Sequence, residues 1–347
     1  MSTDNKSAIN AEFMELHQGQ LPAMLQLCVD TDTPLFIWGP PGIGKSQITT
    51  AFTKSKGMDL VTMQLGLMEP VDLRGLPVVN DARDAVNWVP LGELPTDPNS
   101  SGILFLDELP NADPSVQAAA MQLVLDRRLG AYHLPKGWRV VAAGNRMGDA
   151  AAARRMPTAL ADRFTHITLV PNVDAWAEAS LDAGISPIIT AFVLFRKDML
   201  HNFDPTRTVN TTPRGWWDAD KALKMDQRMD KMETVAFISG RVGNGAMTEL
   251  RSFVRVWHDL PDVKKILAGD ITSSDLDEPA QKYAISLALA GDVNEYSFGN
   301  MTQYLGTVGS EFSKMAVLSA LKRDPKLVNT KAYMKWVTTH MSKLSGR

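Results

Sequence analysis

A three-layer α/β domain built on a parallel sheet and followed by a largely helical half is the fold class this sequence predicts, on three observations. The apolar run Leu35-Phe36-Ile37-Trp38 leads into Gly39-Pro40-Pro41-Gly42-Ile43-Gly44-Lys45-Ser46 and then Gln47-Ile48-Thr49-Thr50-Ala51-Phe52, which reads as strand, glycine-rich loop and helix. Strand-like and helix-like segments alternate over residues 35–170, the pattern of a parallel sheet covered on both faces. From Val173 onward the periodicity turns helical.

Taken in order, residues 11–27 place Phe13, Leu16, Leu21, Met24, Leu25 and Leu27 at mixed helical spacings, so one or two helices interrupted at Pro22 are expected. After a turn at 30–34 come the strand at 35–38 and a helix to about Lys56, with Gly57 as its C-cap. A second strand is expected at 60–65. Residues 68–77, rich in proline and glycine, read as loop. Val78-Val79 and residues 85–89 form a hairpin pattern. Ile103-Leu104-Phe105-Leu106 is a continuous apolar run ending in Asp107-Glu108, as a strand buried on both faces looks when it delivers charge at its carboxyl end. Asp113 and Pro114 open a helix to about Leu125. A short hairpin around Gly130, a buried strand at 139–144 ending at Asn145, a short helix at 158–163 and a strand at 165–170 complete the α/β part. Helices are expected over 174–183, 187–200, 214–240 and 247–260, with a helical remainder. The expected domains are 1–173, 174–260 and 261–347.

The loop at 39–46 has the order a polyphosphate requires. Glycines let backbone N–H groups turn inward around phosphate oxygens, and the following helix presents unpaired N–H groups and the positive end of its dipole. Lys45 can then reach the β- and γ-phosphates while the Ser46 hydroxyl holds Mg²⁺. Asp107 would bind the same Mg²⁺, and Glu108 could polarise an attacking water. Paired acids also occur as ordinary strand ends; behind a complete phosphate loop the catalytic meaning prevails. Asn145 could orient that water, or could simply form a turn.

Composition narrows the partners. The chain has 347 residues, 44% of them hydrophobic, enough for a large core and two or three domains, and a net charge of −3 gives no basic field for nucleic acid. A single cysteine, Cys28, excludes an internal disulfide and a zinc site of the CxxC kind, and suits a reducing cytoplasm. Six scattered histidines make no metal site, and no stretch is long enough for a membrane span. A cytoplasmic protein is expected.

With these motifs the sequence resembles the AAA+ ATPases, and among them the MoxR-like and dynein-related group of small bacterial and phage ATPases. The resemblance rests on Gly39 to Ser46 as Walker A, Ile103 to Glu108 as Walker B and Asn145 as sensor 1. Pro157-Thr158-Ala159-Leu160-Ala161-Asp162-Arg163-Phe164 matches the arginine-finger segment, and Thr212-Pro213-Arg214-Gly215 the sensor 2 segment. It implies a P-loop AAA+ core, an α-helical lid and a helical C-terminal extension. ATP and Mg²⁺ are the implied cofactors, with the loop from Gly39 to Gln47 binding nucleotide, Ser46 and Asp107 the metal, and Glu108, Asn145, Arg163 and Arg214 serving catalysis. Arg154 and Arg155 compete with Arg163 for the finger role. The hairpins at 76–90 and 128–135 would be inserts facing a ring's pore or its partner, and the loop with Asp72 and Arg74 would lie at a subunit interface.

The implied activity is a ring ATPase, most simply a hexamer, that remodels, activates or matures a protein partner in the manner of a MoxR-like chaperone, with a von Willebrand factor A-domain protein as a natural partner. A motor on nucleic acid, or a GTP-using relative driving a restriction-type nuclease, is the alternative. The net acidity counts against it, although the tail carries an excess of lysine and arginine, and no NKxD-type guanine-reading motif is present. A non-catalytic nucleotide switch would lack Glu108 or the finger arginine, and this chain has both.

Overall fold

The structure, a computed structural model, describes residues 13–89, 92–130, 132–146 and 156–344. The chain divides into two compact units. The first holds the residues to Pro171 together with Phe203–Thr206, and the second holds Asn172–Asn202 and the residues from Arg207.

The first unit runs through β1 (Glu15–His17), α1 (Leu21–Thr31), β2 (Leu35–Trp38), α2 (Lys45–Lys56), β3 (Asp59–Gln64), α3 (Pro70–Arg74), β4 (Leu76–Val79), β5 (Val86–Val89) and β6 (Ser101–Asp107). It continues with α4 (Pro114–Asp126), β7 (Arg128–Leu129), β8 (Tyr132–His133), β9 (Gly137–Gly144), α5 (Thr158–Ala161) and β10 (Thr165–Val170). Six strands form one sheet in the order β1-β10-β2-β9-β6-β3, and every neighbouring pair is parallel.

Because side chains alternate across a strand, each buried strand feeds two cores. Leu35, Ile37, Ile103, Phe105, Val141 and Ala143 pack with Leu21, Leu25 and Cys28 of α1 and Phe52 of α2. Phe36, Leu104, Leu106, Val140 and Ala142 face the other way, onto Val116, Ala120 and Leu123 of α4 and Leu160 of α5. This is the three-layer architecture the apolar runs predict. Cys28 is 3% exposed and burial pushes its thiol up to about 11, so it behaves as a small apolar core residue.

Three local expectations are corrected. Phe13 and Leu16 belong not to a helix but to the approach and body of edge strand β1, paired with β10, and Pro22 sits in the first turn of α1, where its missing N–H costs nothing. The stretch at 68–77 is not all loop: Pro70–Arg74 is helical, with the Glu69 N–H bonded to the Asp72 carboxylate at 2.8 Å. The helix expected over 214–240 is broken into α8 (Pro213–Met225) and α9 (Met232–Val242). Between them the Asp226 carboxylate accepts from the Lys231 N–H at 2.9 Å and the Asp230 N–H at 3.3 Å, and buried Met229 takes a left-handed φ of 55°. An aspartate offering its side chain to nearby amides competes with the helical ladder.

The second unit is helical: α6 (Val173–Asp182), α7 (Pro187–Phe195), α8, α9, α10 (Asn244–His258), α11 (Val263–Ala268), α12 (Pro279–Asp292), α13 (Phe298–Val308), α14 (Ser310–Arg323) and α15 (Lys331–Leu344). It has two cores joined by α12, whose Ala284 and Leu287 face one while Ile285, Leu289 and Ala290 face the other.

Two glycines show how tightly the units are packed. A Cβ at Gly144, the last residue of β9, would lie 2.5 Å from the Pro110 ring and 3.3 Å from Phe36, whereas one at Gly240 in α9 would meet nothing within 4 Å. Gly144→Ala is expected to cost about 1–3 kcal/mol by overpacking. Gly240→Ala is expected to add about 0.5–1 kcal/mol by restricting the unfolded chain. Thermal unfolding followed by circular dichroism measures both; equal midpoints for the two variants would contradict this account of the packing.

Candidate nucleotide site

The carboxyl ends of the central strands β2, β9 and β6 lie side by side, and the chain leaves each of them through a residue of the predicted site. β2 and β9 are stapled beyond their ends by the Gly39 N–H, which donates to the Gly144 carbonyl at 3.2 Å. A Cβ at Gly39 would lie 2.7 Å from both the Leu169 carbonyl and Ile43, so only glycine fits. Gly42 and Gly44 have φ of 77° and 101°, left-handed values that turn the loop inward before α2 begins at Lys45. The helical ladder opens with the Ile48 N–H donating to the Gly44 carbonyl at 2.9 Å. The helix-initiating amides before it have no partner within the helix, which makes this terminus a ready anion site.

Lys45 is only 9% exposed. Its Nζ donates to the Gly39 carbonyl at 2.6 Å, the Pro40 carbonyl at 3.1 Å and Asn145 Oδ1 at 3.1 Å. Next to it, the Ser46 hydroxyl donates to Asp107 Oδ2 at 2.9 Å, while Asp107 Oδ1 accepts from the Glu108 N–H at 3.0 Å. Glu108 takes a left-handed conformation, φ 57° and ψ 30°, which swings the chain off β6 into the turn Leu109–Asn111. Gln47 is exposed on the first turn of α2. The loop, Lys45, Ser46, Asp107, Glu108 and Asn145 are thus brought together. A hydroxyl beside a carboxylate is the hard-oxygen pair that Mg²⁺ prefers, and a lysine ammonium beside a glycine-rich loop and a helix N-terminus suits a polyphosphate, so the donor set fits both groups.

Arg163 is exposed in the turn after α5 and makes no ion pair among the described residues. Arg154 and Arg155 lie outside the described residues. Arg214 is exposed on the first turn of α8, in the second unit. Thr212 caps that helix, accepting from the Gly215 N–H at 3.2 Å, and a Cβ at Gly215 would lie 2.6 Å from the Arg241 carbonyl, so the start of α8 is held against α9.

Sequence reasoning missed one connection. Trp38 Nε1 donates to His166 Nδ1 at 3.0 Å, which leaves the proton on Nε2 to donate to the Ala161 carbonyl at 2.8 Å. Phe13 stacks on the same imidazole, with ring centroids 4.8 Å apart. The strand feeding the phosphate loop is therefore tied to the turn that carries Arg163. Trp38 and His166 are 128 positions apart and belong to no shared motif, so only the pairing of β2 with β10 reveals them.

With this geometry described, comparison with known proteins finds one family model that matches within the first unit. Residues 34–164 match the model of the AAA domain, dynein-related subfamily. The parallel sheet with its phosphate loop and flanking helices is a P-loop AAA+ fold. No curated protein sequence matches the chain. Among solved structures, NtrX of Brucella abortus in complex with ADP aligns at 14% identity over 94% of this chain and 68% of that one, with a TM-score of 0.35. The RuvB Holliday junction branch migration motor of Thermotoga maritima aligns at 15% identity over 84% and 85% of the two chains, with a TM-score of 0.37.

Lys45→Ala would remove the ammonium that sits among these oxygens. Calorimetric titration is expected to show a loss of nucleotide affinity of about 100-fold or more, since a charge-assisted contact to phosphate is among the strongest the loop makes. Unchanged affinity would disprove the site.

Proposed function

We propose that this protein is a Mg²⁺-dependent ATPase that works as an oligomeric ring, most simply a hexamer, and remodels a protein partner. The observation that carries the reading is the hydrogen-bonded group in the AAA domain: Lys45 with Asn145, Ser46 with Asp107, and Glu108 at the edge. ATP takes the place of the neutral oxygens around Lys45, and the Lys45 ammonium, once turned to phosphate, releases Asn145 to orient a water. Ser46 and Asp107 would hold Mg²⁺, which would supply positive charge against the phosphate oxygens. Glu108 accepts the proton of the attacking water.

Arg163 acts in the neighbouring subunit's site; its exposure and lack of an ion-pair partner among the described residues support this. Arg214 reads the nucleotide from the helical lid, residues 174–260, and residues 261–347 extend that lid. The protein partner is supported by the β4–β5 hairpin. Its Leu76, Val78, Val79, Val86, Trp88 and Val89 are all at least 42% exposed, an unusual density of bare apolar surface on two strands. A von Willebrand factor A-domain protein is the partner that the family resemblance suggests. No helix among the described residues is long and apolar enough to cross a membrane, and a cytoplasmic location is part of the proposal.

Two variants test the reading. Arg163→Ala should bind ATP nearly as well as the parent yet hydrolyse it ~10³-fold more slowly or worse. Mixed with Lys45→Ala, also inactive, it should regain activity, because each protein supplies what the other lacks; no recovery in verified mixed assemblies would rule out a finger in trans. Glu108→Gln should hold ATP uncleaved and retain a protein partner from lysate in an ATP-dependent, nuclease-resistant way. Capture of nucleic acid that salt removes would point to the motor alternative.

A further inference from the structure

Gly66 follows β3 inside the short 3-10 turn Leu65–Leu67. Unlike Gly42 and Gly44, it is not among the glycines with positive φ, so its backbone does not call for glycine. Its surroundings do. A Cβ at position 66 would lie 2.9 Å from Glu108 Oε2 and 3.5 Å from the Cβ atoms of both Glu108 and Asn111. We propose that Gly66 is a positioning residue: the side chain it lacks leaves the space in which the Glu108 carboxylate rests, against a wall formed by the turn at 66 and Asn111. The inference rests on the reading of Glu108 as the group that activates water.

The geometry dictates what yields when that space is filled. The Glu108 backbone is fixed by its N–H bond to Asp107 Oδ1 at 3.0 Å and by the Asn111 N–H, which donates to the Glu108 carbonyl at 2.9 Å. The turns on both sides are anchored by Leu65 and Leu109, each 0% exposed. What remains free is the exposed end of the Glu108 side chain, two torsions beyond its Cβ. A methyl at 66 therefore moves the carboxylate and leaves the fold alone. A misplacement of about 1 Å in a catalytic group can cost ~100-fold in rate, while alanine in place of a conformationally ordinary glycine is neutral to stabilising.

The test is Gly66→Ala, with ATP turnover, nucleotide titration and thermal unfolding measured together. The expected result is a kcat ~10–100-fold below the parent, KM and nucleotide affinity within about 2-fold, and an unchanged or slightly raised Tm. In a Glu108→Gln background, followed by single turnover, the alanine should cause no further loss, and it should cost Glu108→Asp less than it costs the parent because the shorter acid clears the methyl. Parental kcat in Gly66→Ala would overturn the inference while leaving the ATPase reading intact. So would a lowered Tm with weakened binding, or a full multiplicative loss in the Glu108→Gln background. A parent protein that binds ATP and releases no phosphate would overturn the ATPase reading, and this inference with it.

Discussion

A lysine ammonium nine-tenths removed from water must be surrounded by oxygen, because an unpaired buried charge costs several kcal/mol. Lys45 meets that demand with the carbonyls of Gly39 and Pro40 and the side chain of Asn145. Those oxygens stand on the segments that leave β2 and β9, so the demand can be met only if the two strands are neighbours with their carboxyl ends level. The pairing of Trp38 with Gly144 provides this register, and the Gly39 N–H bond to the Gly144 carbonyl extends it by one step. Adjacent β6 brings Asp107 to the same edge, where Ser46 reaches it from α2. The order β2-β9-β6 at the centre of the sheet, the glycine at 39 and the small residue at 144 all serve this arrangement.

The energetics have a functional corollary. In the structure the ammonium donates to the carbonyls of Gly39 and Pro40 and to Asn145 Oδ1, and a polyphosphate oxygen is an acceptor with which it would make a stronger, charge-assisted bond. Transfer of Lys45 from Asn145 to phosphate would couple arrival of nucleotide to release of the side chain proposed to orient water. The Trp38–His166–Ala161 chain runs from the same strand end to the Arg163 turn, which gives the segment proposed to carry the finger a fixed position relative to the loop.

The central architecture was legible because its signals are local. Leu35 to Trp38 and Ile103 to Leu106 are apolar at every position, which a strand buried on both faces requires, and the glycine-rich loop can be read from eight consecutive residues. Asp113-Pro114 and Gly57 marked helix ends through backbone geometry that belongs to those residue types. Less legible features depend on distant partners. Strand β1 exists because β10 offers it an edge, and its short stretch carries no alternation of its own. The break after α8 depends on Asp226 turning to the amides of Asp230 and Lys231, a choice that an aspartate in an otherwise helical run does not announce. His166 and Gly66 were invisible for the same reason, since the meaning of each lies in a side chain brought to it by the sheet. The exposed position of Arg214 is clear, but its proposed role belongs to the nucleotide-bound assembly.

The central claim, an ATP site completed by a neighbouring copy, is tested most directly by phosphate release per subunit as a function of protein concentration, with assembly followed by light scattering on the same samples. The expected result is Mg²⁺-dependent turnover that rises with concentration and levels off where the ring is fully formed. A monomer that hydrolyses ATP at the full rate across the whole range would contradict it, as would a formed ring that binds ATP and releases no phosphate.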